Sequence, residues 1–436
     1  MEEKKMEKGK YLAGFAKLDI TPFLGVRMID LGKDAKGTGL LDPMMVRAVA
    51  FSDGEKQAVF MVLDNWIGVP DFMGFIPRLA EALDLPEDCI NYCATHSHAT
   101  PCISIDETYD AFVYHRMKNV ITLALNDLKP VTDVQWAEDR AEGMAFTRRY
   151  RMKNGKVYTN PVRAERQMVG FAEPFDDTMR VVRIFREDAK EIVLINCQAH
   201  PGNGGSLSYT ASYPGLLCTN MERIDDSIEC MYFNGAEGDM ITWGPDPIPA
   251  DHNPTLHDID YSKRLAKIAE SIRQKAVSTG CEGFSYGKSF VNVKTKRTPE
   301  NVEEAKRILA LVEAGKKEEI DADPRIVHYK TVNARNIMRL EKFKQDSVDV
   351  PLTAVSFCGL CLAGIAGEPF SEVGVKVREA SKYPATCVCC FANGGKGYFP
   401  TEEAYNNGGY EPHNTAIAKG CAEKITEATI NLIESL

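Results

Sequence analysis

The chain has 436 residues, 44% hydrophobic and 26% charged, with a formal net charge of −10 at pH 7. That is ordinary globular composition with length enough for a large core, and its acidic balance excludes a nucleic-acid partner, which requires a basic face. No run approaches the ~18 apolar residues of a membrane span, and the mixed-charge start Met1-Glu2-Glu3-Lys4-Lys5 is not a secretory signal, so neither stable membrane insertion nor secretion is expected.

In chain order, 12–22 alternates like a strand and stops at Pro22. Segments 46–51 and 57–63 flank Ser52-Asp53-Gly54, a hairpin signal, and Asp64 follows directly. A helix is predicted over 72–83, then a strand leading into Tyr92-Cys93-Ala94-Thr95-His96-Ser97-His98-Ala99-Thr100-Pro101. Residues two apart on an extended segment share a side, so His96 and His98 are expected to project together from a strand end. That pairing suits a metal ligand beside an acid–base partner. A helix over 109–127 and a strand over 131–136 follow. Phe146-Thr147-Arg148-Arg149-Tyr150-Arg151, before the turn Lys153-Asn154-Gly155-Lys156, reads either as a solvated hairpin or as an anion clamp built on Arg148 and Arg149.

Strands at 179–185 and 191–197 come next, the second running into Gln198-Ala199-His200-Pro201-Gly202-Asn203-Gly204-Gly205. Its glycines let backbone approach a ligand, and Asn203 and Gly204 are candidate substrate contacts. A helix through Ile224 leads to a strand over 229–233 and the Gly-rich acidic turn Asn234-Gly235-Ala236-Glu237-Gly238-Asp239, a site-like edge. Beyond it 245–260 is a polar loop, 262–276 a helix and 284–295 a strand. Helices at 300–314 and 329–344 form a helical insertion that adds cover rather than chemistry. Strands return over 350–365, Gly367-Glu368-Pro369-Phe370 starts a helix through Ala380, and a strand over 386–392 precedes Tyr398-Phe399-Pro400-Thr401-Glu402-Glu403. A helix over 414–435 closes the chain. No sequence repeat is seen. The expectation is an α/β fold, a mixed β-sheet core flanked by helices, in one domain over 1–436.

Thirteen cysteines, an odd number, and the apolar Cys387-Val388-Cys389-Cys390 point to reduced thiols and a cytoplasmic setting. Cys358-Gly359-Leu360-Cys361 lies in an apolar run with no second such pair and reads as core thiols. Five strand ends carry polar landmarks: Asp64, His96 with His98, His200, Glu368 and Tyr398. Two His, one Glu and one Tyr offer N and O donors that suit zinc, with one position left for water.

At these landmarks the sequence resembles the neutral/alkaline, non-lysosomal ceramidase family, as a divergent bacterial-type member. The likeness begins at Ala13-Gly14-Phe15-Ala16-Lys17-Leu18-Asp19-Ile20-Thr21-Pro22 and runs to about Glu411. The family's His-Thr-His-Ser-Gly-Pro is similar to His96-Ser97-His98-Ala99-Thr100-Pro101, its Ala/Val-His-Pro to Ala199-His200-Pro201, and its Gly-Glu-Phe to Gly367-Glu368-Pro369-Phe370. Its Tyr-x-x-Thr and paired Glu resemble Tyr398 to Glu403. The resemblance implies one zinc ion on His96, His200, Glu368 and Tyr398, with His98 beside the water or substrate. Two features depart from the family. Ile241 stands where its Gly-Asp-x-Ser-Pro carries an active-site serine, with Thr242 next. True ceramidases are secreted or membrane-attached and carry a C-terminal β-sandwich, and neither feature is expected here.

The resulting expectation is a zinc-dependent amidohydrolase acting on an N-acyl or related linear C–N bond of a small molecule. His98 and Asp64 are its acid–base and ligand-orienting residues, and Arg148, Arg149, Asn203, Gly204 and Thr242 line the substrate. A genuine ceramidase and a metal- or ligand-binding protein without turnover are the alternatives. Substrate, metal and oligomeric state are open at this point.

Overall fold

The structure, a computed structural model, describes residues 11–28, 35–70, 73–101, 103–161, 167–201, 207–244, 254–280 and 283–436. Its frame is one order of elements used three times: three antiparallel strands, a helix, a fourth strand parallel to the third, and a second helix. The first unit runs β1 (Leu12–Asp19), β2 (Met45–Ser52), β3 (Gln57–Leu63), α1 (Phe75–Leu83), β4 (Ile90–Ala94) and α2 (Glu107–Asn126). The second runs β5 (Lys129–Arg140), β6 (Thr178–Arg186), β7 (Glu191–Cys197), α3 (Ser212–Ile224), β8 (Ile228–Asn234) and α4 (Pro254–Arg273). The short β9 (Val277–Ser278) adds to β5.

The third unit is β10 (Phe284–Lys294), then α5 (Pro299–Glu313) and α6 (Pro324–Lys342), then β11 (Ser347–Phe357), β12 (Leu360–Ile365), α7 (Ser371–Ala380) and β13 (Ala385–Cys389). Two short helices, α8 (Glu402–Asn407) and α9 (Tyr410–Asn414), precede α10 (Cys421–Ser435). The helical insertion sits between the first two strands of this unit and has a small core of its own around Ala305, Ala334 and Ile337. No repeat is legible in the residues because each unit shares only its hydrophobic pattern and strand order with the others.

Units one and two join edge to edge through Leu12↔Pro130 and Ala13↔Lys129, giving a nine-stranded sheet ordered β8-β7-β6-β5-β1-β2-β3-β4 with β9 beside β5. Unit three forms a four-stranded sheet, β10-β11-β12-β13, against it. One apolar core spans both sheets: Phe51 of β2 stacks on Phe357 of β11 at 4.6 Å, and Phe60 of β3 meets Phe233 of β8 edge-on at 5.4 Å. Burial of such aromatic and branched faces is the main favourable term in a fold of this kind. Asn196 of β7 ties the sheets by donating to the Val388 carbonyl of β13 at 2.9 Å.

Several predicted boundaries shift. Helix α1 begins only at Phe75, because Gly74 before it is left-handed with φ 58°. Of the expected loop over 245–260, residues 245–253 lie outside the described residues. From Pro254 on the chain is already α4, where Asp258, Tyr261 and Leu265 repeat at helical spacing on the buried side. Helix α6 starts at Pro324, one turn earlier than expected, because Asp323 accepts from the Arg325 N–H and proline suits a first turn. The closing helix is broken. Thr415 and Ile417 leave it, Ile417 bridging to Thr295, and α10 restarts after left-handed Gly420. The eleven described cysteines are buried thiols, including Cys358 and Cys361. No helix among the described residues is long and apolar enough to cross a membrane.

Candidate metal centre

In each unit the third and fourth strands are parallel, so their C-terminal ends leave the sheet at one edge, the usual place for a site in such sheets. Trp66, His200 and Glu368 each stand three residues past a third strand. His96 stands two residues past β4 and Glu237 three past β8. The units thus bring together residues separated by up to 302 positions in the chain.

The centre is a triangle of imidazole nitrogens. His96 Nε2 lies 3.0 Å from His200 Nε2, and His98 Nε2 lies 3.2 Å and 3.1 Å from those two. His96 and His98 do not converge by strand alternation, since β4 ends at Ala94. His96 has φ 68°, and that turn brings the two rings together. His96 Nδ1 donates to the Trp66 carbonyl at 2.7 Å. His200 Nδ1 lies against the Glu237 carboxylate. Because each Nδ1 faces an acceptor and so carries the proton, the Nε2 atoms of these two neutral rings carry lone pairs. Burial, followed by His98 and Arg148, holds His96 well below its ordinary pKa, and burial with Arg148 and the other two rings does the same for His200. Protonation therefore does not relieve two lone pairs facing each other at 3.0 Å.

Carboxylates complete the cluster. Ligand atoms of His96, His200, Glu237 and Glu368 lie within 4.8 Å of one another, with Glu368 Oε2 at 3.8 Å from His96 Nε2. That Oε2 is buried and accepts no hydrogen bond. Burial pushes the Glu368 carboxyl up to about 7, against the pull of Arg148 and Tyr398. Burial and the neighbouring Glu368 push Glu237 well above its ordinary range. Converging lone pairs and an orphaned carboxylate oxygen are what a divalent cation satisfies. Zinc bonds of ~2.0–2.1 Å at tetrahedral angles place ligand nitrogens ~3.3 Å apart, close to the triangle seen. The residues therefore fit a zinc-type ion.

Local sequence explains how these side chains arrive. Glu368–Pro369 pairs in parallel with Tyr398–Phe399, placing Tyr398 level with Glu368. The approach needs Gly367, φ 157°, where a Cβ would lie 2.6 Å from the Phe399 ring. It also needs Gly238, where a Cβ would meet the Glu368 carbonyl at 2.4 Å. The Tyr398 hydroxyl bonds to Glu368 and to Arg148, whose guanidinium lies 5.2 Å from the Tyr398 ring centre.

The remaining predicted residues are placed differently. Asp64 is buried but touches neither ligand histidine. Its Oδ2 accepts from Arg47 Nη1 at 2.8 Å and from the Met45 N–H at 2.9 Å, so the role of orienting a histidine falls instead to Trp66 O and Glu237. The predicted hairpin is present, Arg149–Met152 pairing antiparallel with Val157–Thr159, but it is not solvated at the arginines: Arg148 and Arg149 are 4% and 0% exposed. Arg148 reaches Glu411 at 2.9 Å and the Gly238 carbonyl at 2.8 Å. Every nitrogen of the Arg149 guanidinium is engaged, by Glu173, Glu411 and the Gly408 carbonyl, so no donor nitrogen of Arg149 is left for a substrate anion. Ile241 pairs with Phe146, and the Thr242 hydroxyl is buried without a hydrogen-bond partner. Asn203 and Gly204 lie outside the described residues. Glu237 was missed as an individual residue, although its Gly-rich turn at the end of β8 is a legible signal.

No family model and no curated protein matches this sequence. Solved structures do. The neutral ceramidase of Pseudomonas aeruginosa superposes with a TM-score of 0.71 at 14% identity, over 97% of this chain and 74% of that one. A ceramidase complexed with C2 gives 0.70 at 13% identity, over 97% and 75%. The chain has the neutral ceramidase fold.

Proposed function

We propose that this protein is a zinc-dependent hydrolase that cleaves an N-acyl amide, or a related linear C–N bond, of a small molecule. One observation carries the reading: three imidazole Nε2 atoms within 3.0–3.2 Å of each other, two of them lone pairs by the partners of their Nδ1 atoms. His96, His200, Glu368 and Tyr398 are the residues that would hold the ion, with Glu237 keeping the His200 ring aimed inward. When bound, zinc supplies a Lewis acid for the scissile carbonyl and lowers the pKa of a water towards ~7.

The chain's own residues do the rest. His98 is the most exposed of the three rings, so its Nε2 can take a proton from the attacking water and return it to the leaving nitrogen. Arg148 holds the Tyr398 hydroxyl and the Gly238 carbonyl in place, its own charge satisfied by Glu411. With Ile241 in place of a serine, the nucleophile is water and no acyl-enzyme forms. The bulk of Ile241 favours an acyl group smaller than, or shaped differently from, that of ceramide.

The test is hydrolysis of a panel of N-acyl amides, short-chain substrates and ceramide included, by protein as purified and after chelation, with metal content measured alongside. Turnover that chelation removes and zinc restores supports the proposal. Bound zinc with no turnover on any amide or ester supports instead a metal-binding protein without catalysis, the alternative that Ile241 permits. Absence of stoichiometric metal ends both.

A further inference from the structure

Phe391 is placed at the centre without any polar reason to be there. It stands two residues past β13 as His96 stands two past β4, equivalent places in the third and first units. Both residues are left-handed, with φ 50° and 68°, a conformation that side-chain-bearing residues rarely adopt and that their surroundings must hold. The two rings stack face to face, centroids 4.3 Å apart and planes 19° from parallel. Trp66 also lies nearly parallel to the His96 ring, but farther off at 6.2 Å. Phe391 is 1% exposed and packs with Ala94, Cys390 and Ile67. Its N–H donates to the Gly367 carbonyl at 3.0 Å, immediately before Glu368.

The hydrogen bond from His96 Nδ1 to Trp66 O restrains one atom of the imidazole, but coupled rotation about its Cα–Cβ and Cβ–Cγ bonds can still tilt the ring. A flat aromatic face opposes that tilt. We infer that Phe391 is a positioning residue that locks the plane of the His96 imidazole, and so sets the affinity and geometry with which His96, together with His200 and Glu368, holds a divalent cation. This rests on the metal-site reading above. It also ties the Glu368 strand to the His96 ring through one residue.

The experiment compares zinc affinity, by competition with a chromophoric chelator, and the visible spectrum of the cobalt-substituted protein. It uses the full chain as wild type, Phe391→Leu, Phe391→Tyr and His96→Ala. Phe391→Leu is expected to weaken zinc binding about 10–100-fold, the range for residues that orient a ligand, and to change the cobalt ligand-field bands. Phe391→Tyr keeps the flat ring and should stay within a few-fold of wild type with its spectrum intact. If Phe391→Leu is not recovered folded, Phe391→Met, which keeps volume but not the ring, takes its place. Wild-type affinity and an unchanged cobalt spectrum in the leucine or methionine variant overturn the inference. Failure of the wild type to bind metal, or retention of metal by His96→Ala, overturns the metal-site reading itself.

Discussion

Arg149→Met tests whether the arginine pair recognises substrate or holds the fold. The fork of Arg149 meets Glu173 at 2.9 and 3.1 Å, Glu411 at 2.8 Å and the Gly408 carbonyl at 2.8 Å, and neither Arg149 nor Glu411 is exposed. Removing one partner of a buried ion pair costs about 3–5 kcal/mol. Glu173 keeps Asn407, and Glu411 keeps Arg148 and Thr159, so the lower end applies: ~3 kcal/mol, about 150-fold in the folding equilibrium. The assay is urea unfolding followed by tryptophan fluorescence and circular dichroism.

The pH dependence gives a second handle on this variant. Burial works to raise the Glu411 pKa, but Arg148 and Arg149 outweigh it and hold the carboxyl below its ordinary value. A lowered folded pKa contributes stability that is present above the unfolded value of ~4.3 and lost as pH falls through the folded one. The deficit of the variant is therefore widest near neutral pH and narrows below about pH 4. An unchanged unfolding midpoint together with a raised KM would refute this and restore a substrate clamp.

Asp64→Asn should destabilise the fold by about 3–5 kcal/mol through the buried Arg47 pair and leave zinc affinity unchanged; lost metal with unaltered stability would return Asp64 to the centre. Thr242→Ala should keep most activity, and an acyl-Thr242 adduct trapped and seen by mass spectrometry would rule out direct attack by water. Burial raises the Asp42 carboxyl to about 6 against the hydrogen bonds from Thr210 and Ala211. A raised folded pKa contributes stability that is full below the unfolded value of ~3.9 and lost as pH rises through the folded one. Asp42→Asn should accordingly flatten the decline in stability between about pH 4 and 6, measured as urea midpoints; an unchanged slope would show that other groups cause it.

The sequence alone determined the strands, their ends, and the kinds of residue standing there. Alternation, Ser52-Asp53-Gly54 and the stops at Pro101 and Pro201 are local signals, and they placed Asp64, His96, His98, His200 and Glu368 just past strands. Only the tertiary structure decided which of them meet. His96 and Asp64 have the same local signature, yet one ring faces His200 while the carboxylate turns to Arg47. The acceptor for His96 Nδ1 is a backbone carbonyl, which every residue possesses, so no residue type marks Trp66 for that task. The fate of Arg149 hung on Glu411, 262 positions away, because burial turns a surface-like cation into a paired one only when distant chain closes over it. The threefold recurrence of units was hidden for the same reason: strand order and parallel pairing are properties of long-range hydrogen bonds, and quite different residues satisfy them.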